Sequence, residues 1–249
     1  MSTPLTDAIN ALTTYANEVT GKSDTTLSDA VESLVDGYGG GGGGVDYLDL
    51  KTRNAACSEY RNDNITSIGT ARMVEGWTNL QKLTLPNLTS ISKAYGLGTA
   101  TSNDLEVDLK AVVSGANQGL QGFNCKTIVF PNWSGVLNTY FLYSGNISIV
   151  DLGPGMTELQ PNSCTSCRSV LILRRTAGVV KLGNVNALLA SVFGSSGTGG
   201  TIYVPSALIA SYKTANNWST LHGYGHITWV AIEGSQYENY YADGTPISS

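Results

Sequence analysis

Three short constellations in this 249-residue sequence have the residue types and spacing that chemistry requires. Ala16 to Ser23, ending Gly21-Lys22-Ser23, matches a relaxed phosphate-loop pattern. Cys164 and Cys167 have the spacing of half a zinc site or of a redox pair. His222 and His226 stand four apart, as on a zinc-binding helix. Each pattern meets an objection. A phosphate loop needs a preceding buried strand, so that its N–H groups and the next helix N-terminus converge on phosphate. Here an amphipathic helix pattern precedes it, and Asp24 would set negative charge beside the phosphates, so the segment reads as a helix-to-helix connection. Zinc needs four ligands, and Cys57, Cys125 and the histidines lie far from Cys164 in sequence. Gly223 and Gly225 interrupt the histidine pair, and no glutamate follows His222, so a turn is expected there. Ser–His–Asp or Cys–His catalysis has little to draw on with two histidines in one turn. No local pair of carboxylates stands out for glycan hydrolysis. The sequence therefore predicts no enzyme, and no catalytic, cofactor or metal-ligating residue.

Aromatic residues point to binding instead. Trp133, Tyr140, Phe141 and Tyr143 cluster in one stretch, and Tyr237, Tyr240 and Tyr241 in another. Exposed Tyr and Trp make binding hot spots and stack on sugar rings. Trp133, Tyr140, Tyr143, Tyr237, Tyr240 and Tyr241 are accordingly the candidate ligand-binding residues. The competing reading is that half of the aromatics simply pack or cap the fold.

The composition narrows the function classes. Charged residues make up 13% of the chain, about half the usual ~25%, and Ser, Thr, Asn and Gly fill the polar quota. Net charge is −5 with scattered basic residues, so no patch can neutralise several phosphates, and nucleic acid is not expected as a partner. No stretch approaches the ~20 apolar residues of a membrane span. The opening MSTPLTDAIN lacks a basic and then apolar leader, so folding in the cytoplasm of the producing cell is expected. Four cysteines are too few for a disulfide scaffold, and reduced thiols packed as small hydrophobes are expected.

The elements that must position these residues fall into segments. Residues 1–37 show two short amphipathic helices, with Pro4 and Gly21 marking the ends of the first and Gly37 the end of the second. Leu5, Ile9 and Leu12 stripe one helix, and Leu27, Val31 and Leu34 the other. Such short helices must bury these faces against each other, against copies in an oligomer or against a partner, and the six residues are the candidate oligomerisation or attachment face. Residues 38–45 contain six consecutive glycines, Gly39 to Gly44, and read as a flexible tether.

From residue 46 to 232 the chain repeats. Alternating apolar pairs fall at Leu83/Leu85, Val107/Leu109, Ile128/Phe130, Val150/Leu152, Val170/Ile172 and Ile202/Val204. The middle intervals of about 20 to 24 residues lie within the range of leucine-rich repeats. Leu48/Leu50 are expected to form an earlier capping strand. Leu80, Cys125, Ile147 and Cys167 keep register three residues before the inward position. Further apolar residues follow each strand, among them Ile91, Leu137, Met156, Leu159 and Leu182. One unit cannot bury its own apolar face, so stacking is implied.

The stretch Ile65-Thr-Ser-Ile-Gly69 through Trp77-Thr-Asn-Leu-Gln-Lys-Leu-Thr-Leu-Pro86 resembles the BspA-type leucine-rich repeat. The run Ile202-Tyr-Val-Pro-Ser-Ala-Leu through Trp218 is similar to that family's last unit, a strand leading into a helix. The N-terminal part resembles the helical lead-in of tail and surface proteins of phages that infect gut bacteria. The resemblance implies an α+β fold: a leucine-rich-repeat solenoid with a short parallel β-ladder, preceded by an N-terminal helical hairpin and followed by a tail over 233–249. It implies a virion adhesion or receptor-binding protein. Its partners would be other virion proteins or itself, as a homo-oligomer such as a trimer, and a host cell-surface protein or glycan. The alternatives are a structural decoration or assembly subunit of the virion, or a bacterial surface-type repeat protein.

Overall fold

The computed structural model describes residues 10, 13, 14, 58–69, 71–98 and 102–247. The glycine tether, the attachment face of Leu5, Ile9, Leu12, Leu27, Val31 and Leu34, the Leu48/Leu50 strand and Cys57 all lie outside the described residues. So does the helical hairpin, apart from Asn10, Thr13 and Thr14, which have helical backbone.

The strands in chain order are β1 (Glu59–Arg61), β2 (Ser67–Ile68), β3 (Lys82–Thr84), β4 (Ser90–Ile91), β5 (Glu106–Asp108), β6 (Ser114–Gly115) and β7 (Asn124–Phe130). They continue as β8 (Gly135–Leu137), β9 (Asn146–Leu152), β10 (Met156–Leu159), β11 (Cys167–Leu173), β12 (Lys181–Leu182), β13 (Gly200–Val204) and β14 (Ile227–Ala231). Helices α1 (Ile209–Thr214) and α2 (Trp218–Gly223) lie between β13 and β14. The fold is broadly α+β, mostly parallel sheet with few helices. An eight-stranded sheet runs β1-β3-β5-β7-β9-β11-β13-β14, and two three-stranded sheets run β2-β4-β6 and β8-β10-β12. None closes into a barrel.

The order of the large sheet follows from the spacing of apolar pairs. Tyr60 pairs with Leu83 and Leu83 with Val107. Further on, Ile128, Val150, Leu171, Ile202 and Trp229 pair in succession. Side chains alternate across a strand, so these residues and those two further on face one interior. Leu85, Leu109, Phe130, Leu152, Leu173 and Val204 are all buried, each contributing roughly 1.5–3 kcal/mol relative to exposure. The residues expected three before the inward position, Leu80, Cys125, Ile147 and Cys167, are buried as well.

The Val170/Ile172 pair needs a correction. The inward residues of β11 are Leu171 and Leu173, and the register slips between Cys167 and Val170. A bulge there inserts one residue, and a one-residue slip sends every following side chain to the other face. The Cys167 thiol donates to the Val170 carbonyl at 3.1 Å across this bulge.

The apolar residues that follow each strand form strands themselves: Ile68 and Ile91 pair across β2 and β4, and Leu137, Leu159 and Leu182 across β8, β10 and β12. A third set of backbone hydrogen bonds links successive units, from Arg72 N–H to the Tyr95 carbonyl (2.7 Å) and from Tyr95 N–H to that of Gln118 (2.8 Å). The interior holds Phe130, Trp133 and Phe141 in tilted and edge-on contact, with Trp133 and Phe141 ring centres 4.8 Å apart. Gly115 and Gly119 make room for the Phe141 ring, because a Cβ at either would overlap it.

After β13, Pro205 and a 3-10 turn lead into α1, the strand-to-helix ending that the sequence predicts. Helices α1 and α2 close this end by hydrogen bonding. The Val180 N–H donates to the Tyr212 hydroxyl (3.0 Å), and the Trp218 indole donates to the Val180 carbonyl (2.7 Å). His222 lies in the last turn of α2, which ends at Gly223. The expected turn therefore begins one residue later, and His222 Nδ1 accepts from the Trp229 indole at 3.2 Å.

Gly119→Ala is expected to lower stability by about 1–3 kcal/mol through overpacking against Phe141, measured by urea unfolding. Gly69→Ala has open space around its Cβ, and its effect should stay within about 0.5 kcal/mol.

Candidate functional site

The outer face of the large sheet is divided by its own sequence. On β1, β3 and β5 the outward residues are Glu59 and Arg61, Lys82 and Thr84, and Glu106 and Asp108, held side by side by the register. From β9 onward they are Ile149 and Asp151, Val170 and Ile172, then Thr201 and Tyr203. The first half is charged and the second mostly apolar.

The C-terminal tail covers the apolar half. Ile232 and Tyr237 pack with Ile172, joined by Ile149, Val170, Tyr203 and Ala242. An ion pair fixes the tail. The Arg174 Nε and one terminal nitrogen donate to the two Asp151 carboxylate oxygens at 2.7 and 2.8 Å. The side chains are 7% and 0% exposed. Two further Arg174 hydrogen bonds go to the Tyr237 and Tyr240 carbonyls, both at 2.9 Å, and the Ala242 N–H donates to Asp151 at 2.9 Å. Burial pushes the Asp151 carboxyl above its ordinary value, while Arg174 and the Ala242 N–H pull the other way. Tyr241 lies against the Arg174 guanidinium, 4.8 Å from ring centre to carbon.

The charged half stays open as a cleft of about 490 Å³, floored by β1, β3, β5 and the middle of β7 and walled by Ala242, Asp243 and Thr245 of the tail. Lys110 stands at this wall, 3.2 Å from Asp243 and 3.7 Å from Asp108, and donates to the Thr245 hydroxyl at 3.0 Å. Burial opposes the charged form of Asp243, but Thr245 and Lys110 outweigh it and hold this carboxyl below its ordinary value. Lys82, Glu106 and Lys126 also line the cleft. All three are exposed and make no ion pair among the described residues. Two ammonium groups, a carboxylate and the hydroxyls of Thr84 and Thr127 thus face one space. They can hold a polar or charged ligand.

The structure separates the six candidate aromatics. Trp133 is 1% exposed and its indole donates inward to the Val136 carbonyl at 3.1 Å. It is a core residue, which corrects the expectation that it binds ligand. Tyr237 is buried edge-on against Tyr203, ring centres 4.8 Å apart, and supports the tail. Tyr241 is half-buried over Arg174, and Tyr240 is 50% exposed. Tyr140 and Tyr143 meet edge-on at 4.8 Å, both half-buried, in the connection from β8 to β9. The sequence reading missed Lys82, Glu106, Lys126 and Lys110. Glu59, Lys82 and Glu106 alternate in charge at register-paired outward positions, which was a signal for two of the four; Lys126 precedes the paired Thr127 and Lys110 follows β5, so neither was marked by it.

Cys125, Cys164 and Cys167 are buried and unbridged, and burial raises all three thiols, Cys167 to about 12. Among the described residues no group of three or more His, Cys, Asp and Glu could hold a metal ion, and no helix there is long and apolar enough to cross a membrane.

One further regularity marks the third set of inter-unit bonds. Arg72, Tyr95, Gln118, Tyr140 and Asn162 all have φ between 56° and 66° and recur every 22 or 23 residues. Left-handed backbone costs a non-glycine residue roughly 1–2 kcal/mol, less for Asn.

No family model matches the chain, and neither a curated protein nor a solved structure matches it.

Asp151→Asn leaves the Arg174 charge buried without its counterion, and such losses run to about 3–5 kcal/mol. Urea unfolding should show a drop of that order. Limited proteolysis of the native protein should cut residues 233–247 in the variant and spare them in the unsubstituted chain.

Proposed function

We propose that residues 46–232 form a leucine-rich-repeat solenoid of BspA type that binds and does not catalyse. In this reading the chain is an adhesion or receptor-binding protein of a phage virion, on its tail or surface. The N-terminal segment attaches it to other virion proteins or to copies of itself. The glycine run uncouples the binding domain from the particle, and tethered copies raise the effective concentration at a host surface. The host ligand is a cell-surface protein or glycan.

The observation that carries the reading is the open cleft on the large sheet. It is a broad face built across consecutive strands, with Lys82, Glu106 and Lys126 in no ion pair among the described residues and the apolar half of the sheet covered by the tail. Such a face offers hydrogen bonds and charge to a ligand across several units. Successive register partners support the repeat reading, lying 21 to 24 residues apart from Tyr60 to Leu171. The virion assignment leans on the likeness of residues 1–44 to phage lead-in segments.

The experiment is binding of the full chain to envelopes from a panel of gut bacteria, with antibody labelling of phage particles by electron microscopy. Saturable binding to at least one envelope is expected. Lys82→Glu with Lys126→Glu should weaken it tenfold or more, and added salt should weaken it too, because the contacts are exposed charges. Absence of binding to every envelope, or full binding by the double variant, would count against the cleft as the adhesive surface. Particles that never take the label would remove the virion role.

A further inference from the structure

The column of left-handed residues lies on a different part of each unit from the cleft. It follows the second strand and precedes the next strand of the large sheet. Arg72, Tyr95, Gln118, Tyr140 and Asn162 occupy equivalent places in five successive units, and none is fully buried. From Tyr95 onward the types alternate aromatic, amide, aromatic, amide, with no charge among them. Glycine adopts this backbone freely, yet none of the five positions holds one. Such strain is retained where the side chain itself has work to do.

The spacing is regular. Chains joined by these backbone bonds lie roughly 4.8 Å apart, so Tyr95 and Tyr140, two units apart, stand roughly 10 Å from each other along the stack. Their neighbours set the ring orientations. The Arg72 guanidinium lies 5.8 Å from the Tyr95 ring centre while paired with Glu75 at 3.2 Å, and Tyr143 meets Tyr140 edge-on.

We propose that this column binds a neutral polysaccharide laid along the stack. A pyranose ring has an apolar C–H face and a rim of hydroxyls. Tyr95 and Tyr140 take the C–H faces of two sugar rings, which stack well on an aromatic face. The carboxamides of Gln118 and Asn162 carry a donor and an acceptor each, and they hydrogen-bond the hydroxyl rims. The uncharged run from Tyr95 to Asn162 selects a neutral chain over an acidic one, which would favour the lysines of the cleft. The site shares no residue with the cleft, so it stands or falls independently of the adhesive role proposed above.

The test is affinity electrophoresis of the full chain through gels containing mannan, dextran, xyloglucan or mixed-linkage β-glucan, with polygalacturonate as the acidic comparison. Retardation by at least one neutral polysaccharide is expected, and Lys82→Glu with Lys126→Glu should leave it unchanged. Tyr95→Gly and Tyr140→Gly should each weaken it tenfold or more, and together abolish it. Glycine relieves the left-handed strain but gives up the packing of a half-buried ring, so each variant should keep one cooperative urea transition, and binding lost from a variant that keeps it separates lost binding from lost folding. Retardation by none of the neutral polysaccharides, by polygalacturonate alone, or undiminished in the double glycine variant would overturn the proposal.

Discussion

No unit of this chain can cover its own apolar side chains; the next unit must do it. Each strand of the large sheet turns residues such as Leu83, Val150 or Leu171 inward, and the neighbouring strands are what exclude water from them. Parallel register at each step is therefore the condition on which the rest depends. It aligns the charged outward residues of β1, β3 and β5 into one cleft, and it brings five left-handed residues into one column. The ends need separate treatment. Tyr212 and Trp218 satisfy the backbone of Val180 beside β12, and the helices carrying them cap the stack.

The Asp151–Arg174 pair has a different role. Replacing a buried ion pair with apolar residues is often neutral or stabilising, so its value here is positional. Arg174 gives two hydrogen bonds to Asp151 and two to tail carbonyls, which fixes where the tail crosses the sheet. The apolar half is covered, the charged half is left open, and Lys110 joins Asp243 of the tail to Asp108 at the end of β5. The boundary between the covered and the open part of the sheet thus runs where this pair and the packing of Ile232 and Tyr237 hold the tail.

Much of the architecture is legible in the sequence because burial has a period. The inward pairs, the cysteines held in the core and the strand-to-helix ending can all be read from spacing. The misreading of Val170/Ile172 has a physical cause: a bulge adds one residue, and Cys167 at its usual place gives no sign of it. Trp133 and Tyr237 were poor binding candidates because residue type does not reveal which face a side chain takes; Gly115 and Gly119, 18 and 14 positions before Trp133, were the clue to the ring-filled interior. The tail's docking was invisible, since Asp151 and Arg174 have no periodic signature. The left-handed column was equally hidden, because φ is not written in residue type when glycine is absent.

Distances between spin labels on the outer face test the ordered register most directly. With neighbouring strands roughly 4.8 Å apart, labels at Lys82 and Thr201, five strands apart, should lie roughly 24 Å from one another at the backbone. Labels at Glu59 and Thr228, seven strands apart, should lie roughly 34 Å from one another. Separations that grow step by step with strand number fit this account. Similar, short separations for both pairs would contradict it, because the units would then be folded around a common centre and not stacked in sequence order.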